Sequence, residues 1–142
     1  MARLGQMERM APEAHRSTPA RLARGAYLVE HVTVCLDCHS QRDWGLYSAP
    51  IIAGTEGQGG TFDDRHGVRG VVYGTNITPA GLASWTDDEI LRAITAGVNR
   101  DGDVLFPVMP YRNYPHLTQR DAAAIITYVR TLPPSEHSVP PR

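Results

Sequence analysis

Apolar positions recur at helical spacing in three stretches of the chain and lose that spacing between them. In the first, Leu22, Gly25, Ala26 and Val29 stand at i, i+3, i+4 and i+7, one stripe of a helix. Ser17-Thr18-Pro19 precedes it, a capping hydroxyl followed by proline at the first helical position, which predicts a helix from Pro19 to about His31. Gly25, in the middle of the stripe, permits a close helix crossing. The second stretch opens at Thr86, with Glu89 three residues on completing a capping box, and closes at Gly97. Ile90, Leu91 and Ile94 give it a buried face. The third opens at Thr118 with Asp121 in its first turn and carries Ile125, Tyr128, Val129 and Leu132 at i, i+3, i+4 and i+7. It has to stop before Pro133-Pro134.

From His39 to Trp85 the chain is glycine-rich and irregular, with Gly70-Val71-Val72-Tyr73 a short strand expected to pair near Thr61-Phe62. A loop of that length is uncommon unless it serves a function or wraps something. Residues 1–16 carry no sustained period and residues 135–142 are proline-rich, so both read as extensions of one domain over residues 17–134.

Both cysteines of the chain lie in Cys35-Leu36-Asp37-Cys38-His39, and C-x-x-C-H is the attachment signature of c-type haem. Two thiols on one helical turn can each add to a vinyl group of the same porphyrin, and the adjacent imidazole then lies beneath the iron as an axial ligand. A thioredoxin-type redox pair would need a βαβ setting, where the flanks here are loops and amphipathic helices. A structural zinc site would need further ligands, and no other cysteine exists to supply them. A haem also explains the long loop, which would wrap its edge. It adds an apolar plate to the core of a 142-residue chain that is 42% hydrophobic and 7% aromatic.

His39 fills one axial position. Of the four methionines, Met1, Met7 and Met10 lie in the unpatterned start, leaving Met109 inside the domain. It sits in Phe106-Pro107-Val108-Met109-Pro110-Tyr111, where two prolines fix the backbone that a weak sulfur ligand requires. The other reading of Met109 is a core gap-filler. His66 and His116 compete from loops. His15 and His137 lie in the extensions, and His31 stands on the proximal side of the motif.

From about residue 24 to residue 132 the chain resembles class I cytochromes c. It is most similar to the monohaem modules of bacterial dehydrogenase cytochrome subunits and related respiratory chains. The likeness rests on the order of elements and on Asn76-Ile77-Thr78-Pro79, Gly81 to Trp85-Thr86-Asp87, and Met109-Pro110-Tyr111. It implies an all-α cytochrome c fold, with three to five helices wrapped around one covalent haem c and at most a short β-hairpin. Cys35 and Cys38 would be the thioether anchors, and His39 and Met109 the iron ligands. Pro50 would offer its carbonyl to the His39 Nδ1–H, or be an ordinary turn proline. Asn76 and Trp85 would lie on the propionate side, with core packing the alternative for Trp85. Gly25 and Tyr128 would meet where the first and last helices cross. One departure is His31-Val32-Thr33-Val34, which lengthens the spacing before Cys35.

The resemblance implies a carrier of single electrons between redox protein partners, with no catalytic residue to assign and no enzymatic activity of its own. The alternatives are a haem domain or subunit of a larger dehydrogenase, oxidase or photosynthetic complex, membrane-associated or not, and a peroxidase-like haem enzyme opened by loss of the Met109 bond. A net charge of −1 argues against nucleic acid. All 14 basic residues are arginine, so docking cannot rest on the lysine ring of mitochondrial-type cytochromes c. No stretch is long and apolar enough to span a bilayer. Covalent haem attachment implies a periplasmic or other extracytoplasmic site, yet residues 1–19 show no signal-peptide core. The expectation is therefore a processed, truncated or re-engineered start.

Overall fold

A computed structural model of the chain describes residues 9–140. Met1 and Met7 lie outside the described residues, as does the side chain of His15. The regular structure among the described residues is mostly helical, with four α-helices and one two-stranded antiparallel sheet. The helices are α1 (Pro19–Tyr27), α2 (Cys35–Cys38), α3 (Asp87–Ala96) and α4 (Gln119–Val129); the strands are β1 (Gly60–Phe62) and β2 (Val72–Gly74). The chain divides into two compact units.

The first unit takes the chain up to Leu28 together with Ser84–Tyr128. Helix α1 starts as its sequence dictates: the Thr18 hydroxyl accepts the Arg21 N–H at 3.2 Å and Pro19 stands in the first turn. It meets α4 at Gly25, where a Cβ would lie 2.1 Å from the Ala124 carbonyl oxygen and 2.6 Å from the Tyr128 Cβ. Arg24 Nε reaches Asp121 Oδ1 at 2.8 Å beside that crossing. Helix α3 has the expected capping box, Glu89 N–H to Thr86 Oγ1 at 3.2 Å and Thr86 N–H to Glu89 Oε2 at 2.8 Å. It ends at Gly97, whose φ of +68° favours glycine and whose missing side chain leaves room for the Tyr111 ring. Helix α4 buries more than the predicted stripe, for residues 122–126 are all buried. Met10, read from sequence as part of an unpatterned extension, is buried, and its N–H donates to Asp88 Oδ1 at 2.9 Å in the first turn of α3.

The second unit takes Val29–Ala83 and the chain from Val129 onward. The predicted first helix does not stay α-helical to His31. Its α-helical part stops at Tyr27, and Leu28–Val32 form a π-helical turn shortly before Cys35. The predicted ribbon is present in the register Gly60↔Gly74, Thr61↔Tyr73, Phe62↔Val72. Val29, Leu36, Ala49, Leu82, Val129 and Leu132 are the buried apolar residues of this second unit. Ser135, placed by sequence in a proline-rich extension, is hydrogen-bonded to Thr78 and Gln58. No helix among the described residues is long and apolar enough to cross a membrane.

Candidate functional site

The C-x-x-C-H motif forms one helical turn. Val34 precedes it in the left-handed region at φ 45°, a strained conformation for a β-branched residue, and its carbonyl accepts the Asp37 N–H at 3.0 Å. The His39 N–H then closes on the Cys35 carbonyl at 3.0 Å. Residues at i and i+3 of such a turn share a face, so both sulfurs lie on one side of α2. Neither cysteine is in a disulfide. Thr33 Oγ1 lies 3.2 Å from Cys35 Sγ. Burial pushes both thiols above their ordinary value, opposed at Cys35 by the Thr33 hydroxyl and reinforced at Cys38 by the Asp37 charge.

His39 is oriented through its ring. Its Nδ1 stands 2.6 Å from the Thr75 carbonyl oxygen, which can only accept, so Nδ1 carries the proton and the Nε2 lone pair is available to a metal. Burial pushes the imidazole below its ordinary value, opposed by that carbonyl. The surrounding loop closes on the motif's backbone. The His39 carbonyl accepts the Gly59 N–H at 2.8 Å, and the buried Ser40 Oγ accepts the Gly57 N–H at 3.1 Å. Gln41 Nε2 donates to the Gly59 carbonyl at 2.7 Å.

Met109 belongs to the first unit and is half-buried. Its backbone is fixed on both sides, by Met109 N–H to the Phe106 carbonyl at 3.1 Å and by Tyr111 N–H to the Met109 carbonyl at 2.8 Å. A short 3-10 helix, Tyr111–Asn113, follows.

No protein-family model matches the chain. It is 31% identical over 121 residues to the fructose dehydrogenase cytochrome subunit of Gluconobacter japonicus, covering 83% of this chain and 22% of that protein. It is 28% identical over 128 residues to the gluconate 2-dehydrogenase cytochrome c subunit of Pantoea cypripedii, covering 88% and 26%. The cytochrome c subunit of a quinone-type alcohol dehydrogenase from Gluconobacter oxydans is 28% identical over 121 residues, covering 83% and 23%. The chain is a homologue of bacterial dehydrogenase cytochrome c subunits. It spans about a quarter of the length of those relatives.

One expected contact of this cytochrome c homologue is made by another group. The carbonyl facing His39 Nδ1 is that of Thr75, not Pro50; the Pro50 carbonyl instead accepts the Asp43 N–H at 2.9 Å, closing a turn. Asn76, expected on the propionate side, directs its Nδ2 to the carbonyls of Ser135 at 2.7 Å and His137 at 3.0 Å. Its Oδ1 accepts from the Thr78 N–H and hydroxyl. Trp85 is half-buried in the first unit. Among the competing histidines, His66 packs against Trp44 with ring centroids 4.0 Å apart and planes tilted by 46°, while His31 and His116 are exposed.

Sequence reasoning missed Arg42 and Thr75. Arg42 Nη1 pairs with Asp37 on α2 at 3.0 Å, and its Nε and Nη2 donate to the carbonyls of Ala49 at 2.6 Å and Ser48 at 3.0 Å. Ser48 and Ala49 both have positive φ, so the guanidinium clips a strained turn to the motif helix. No local pattern marks a backbone acceptor such as Thr75. Its position right after a strand, and before Asn76 with an amide to anchor, is the one signal available.

Proposed function

We propose that the chain is a c-type cytochrome module of the class I, all-α kind, carrying single electrons through one covalently attached haem. Cys35 and Cys38 are the thioether anchors, His39 is the proximal ligand and Met109 the distal one. The observation that carries this reading is the motif turn itself: two unpaired thiols on one face of α2, followed by an imidazole whose Nδ1 is tied to Thr75. The donor set fits the group. Sulfurs for two vinyl additions and an imidazole nitrogen for iron stand within five residues. When bound, the haem supplies a one-electron Fe(III)/Fe(II) couple.

The protein's own part is to hold geometry. Thr75 fixes the ring plane of His39 and raises its basicity, the loop over residues 55–59 closes the motif's backbone, and the prolines around Met109 keep the thioether in place. With His39 and Met109 both on the iron, no position would remain for substrate, which favours electron transfer over catalysis at the metal. The domain is residues 17–134. The relatives' names favour a role as one haem module of a dehydrogenase assembly, receiving electrons from a redox partner; covalent haem attachment favours a site outside the cytoplasm.

Mass spectrometry of the denatured protein, matured in a host competent for c-haem attachment, tests this. The expected result is a mass increase of one haem, abolished when both cysteines are replaced. A chain without that increase overturns the reading.

A further inference from the structure

We propose that Asn76 is a positioning residue for the His39 imidazole, held in place by the segment that follows Pro134. This rests on the reading of His39 as an iron ligand. The oxygen facing His39 Nδ1 belongs to the peptide group between Thr75 and Asn76. A peptide group is planar, so whatever fixes the backbone of Asn76 also aims the Thr75 carbonyl.

That peptide is clamped from both ends. On one side, Gly74 is the last residue of β2, paired with Gly60. On the other, the Asn76 side chain uses its whole hydrogen-bonding capacity, two donors and two acceptor positions. The donors go to the Ser135 and His137 carbonyls at 2.7 and 3.0 Å, and Oδ1 receives the Thr78 N–H at 2.9 Å and the Thr78 hydroxyl at 2.7 Å. The segment beyond Pro134 is anchored in turn. Ser135 N–H donates to Thr78 Oγ1 at 3.2 Å, Ser135 Oγ bonds Gln58 Oε1 at 2.9 Å, and His137 N–H returns to Ser135 Oγ at 3.2 Å. Gln58 adjoins Gly59, whose N–H holds the His39 carbonyl, so the network begins and ends at the same histidine. Pro133 and Pro134 restrict the chain leading into it.

A carbonyl held firmly on Nδ1–H makes the imidazole a more basic ligand, which stabilises ferric iron and keeps the reduction potential low. Loosening the strap lets the carbonyl drift, and the potential rises.

The test compares the full-length holoprotein with Asn76→Ala, with a chain stopped after Pro134, and with the two changes combined. The stop removes Glu136 and Arg142, one charge of each sign, and leaves Asn76 in place. The expected result is an upward shift of the midpoint potential in each variant and faster hydrogen exchange at His39 Nδ1–H in the ferrous protein. The combined variant should shift no further than the larger single change, because both remove the same contacts. Haem-bearing variants with unchanged potential and exchange, or with additive shifts, overturn the inference. If Asn76→Ala yields no holoprotein, the stopped chain decides alone by the same two readouts. A parent chain lacking covalent haem overturns this inference and the functional reading together, an outcome distinct from a haem-bearing chain indifferent to the strap.

Discussion

Gly60 and Gly74 face each other across the ribbon, and a Cβ on either would strike the same atom, the carbonyl oxygen of Cys38, at 2.6 and 2.0 Å. Neither glycine has a positive φ, so what they supply is space. The ribbon rests on the backbone of the motif helix with no side chain between them. Gly60→Ala and Gly74→Ala should both destabilise the folded protein, by about 1–3 kcal/mol as for other overpacked sites, with Gly74→Ala the worse. Urea unfolding of each holoprotein checks this, and equal stability to the parent would show that the ribbon can move away from α2 without penalty.

Gly25→Ala probes the helix crossing by the sign of its effect. In an open helix interior, glycine to alanine gains roughly 0.5–1 kcal/mol. Here the new Cβ would stand 2.1 Å from the Ala124 carbonyl oxygen, a backbone atom that cannot rotate aside. The expected outcome is a loss of at least about 2 kcal/mol, from forced separation of α1 and α4. A gain in thermal unfolding midpoint would refute the crossing.

What was legible in the sequence was set by short-range chemistry. Thr18, Thr86 and Gly97 terminate helices through their own side chain or lack of one, and all three do so where the pattern put them. The Gly25–Tyr128 contact was expected from the resemblance to class I cytochromes c, while the apolar stripe itself marked only that Gly25 permits a close crossing. The π-helical turn at Leu28–Val32 was not legible, since it preserves apolar residues at nearly helical spacing while shifting the hydrogen bonds by one residue. Thr75 as the partner of His39 was hidden for a different reason: a backbone carbonyl is common to every residue, and only the tertiary path of β2 brings this one to the ring. Met10 is held by a long-range hydrogen bond to Asp88, and Ser135 by bonds to Asn76, Thr78 and Gln58, none of which leaves a periodic trace.

Acid should weaken the fold through Asp121. Its carboxyl is held below the ordinary aspartate value chiefly by the Arg24 hydrogen bond, then opposed by burial and aided by the Thr118 hydroxyl. A depressed native value means that this group's stabilisation is fully present above the unfolded value, about 3.9, and is lost as pH falls through the native value below it. Asp121→Asn should therefore destabilise at neutral pH, with the gap to the parent closing under acid conditions. Urea midpoints measured at about pH 7 and about pH 2.5 decide it, and a gap that is constant or widens in acid would remove Asp121 from the account.

Met109 makes the sharpest prediction for the proposed ligation, because a second methionine supplies the control. Met10 is buried in the first unit with its N–H on Asp88, whereas Met109 is half-buried in a loop whose backbone is hydrogen-bonded before and after it. Imidazole favours ferric iron more than thioether does, so Met109→His should keep six ligands and lower the midpoint potential. The ferric protein should at the same time lose the charge-transfer band that a thioether–iron bond gives near the red edge of the visible spectrum. Met10→Leu, which keeps the size and apolar character of the side chain, should keep both the band and the potential. If the band survives in Met109→His and the potential does not fall, sulfur from Met109 is not on the iron. Loss of the band in Met10→Leu alone would move the ligand to the segment before α1.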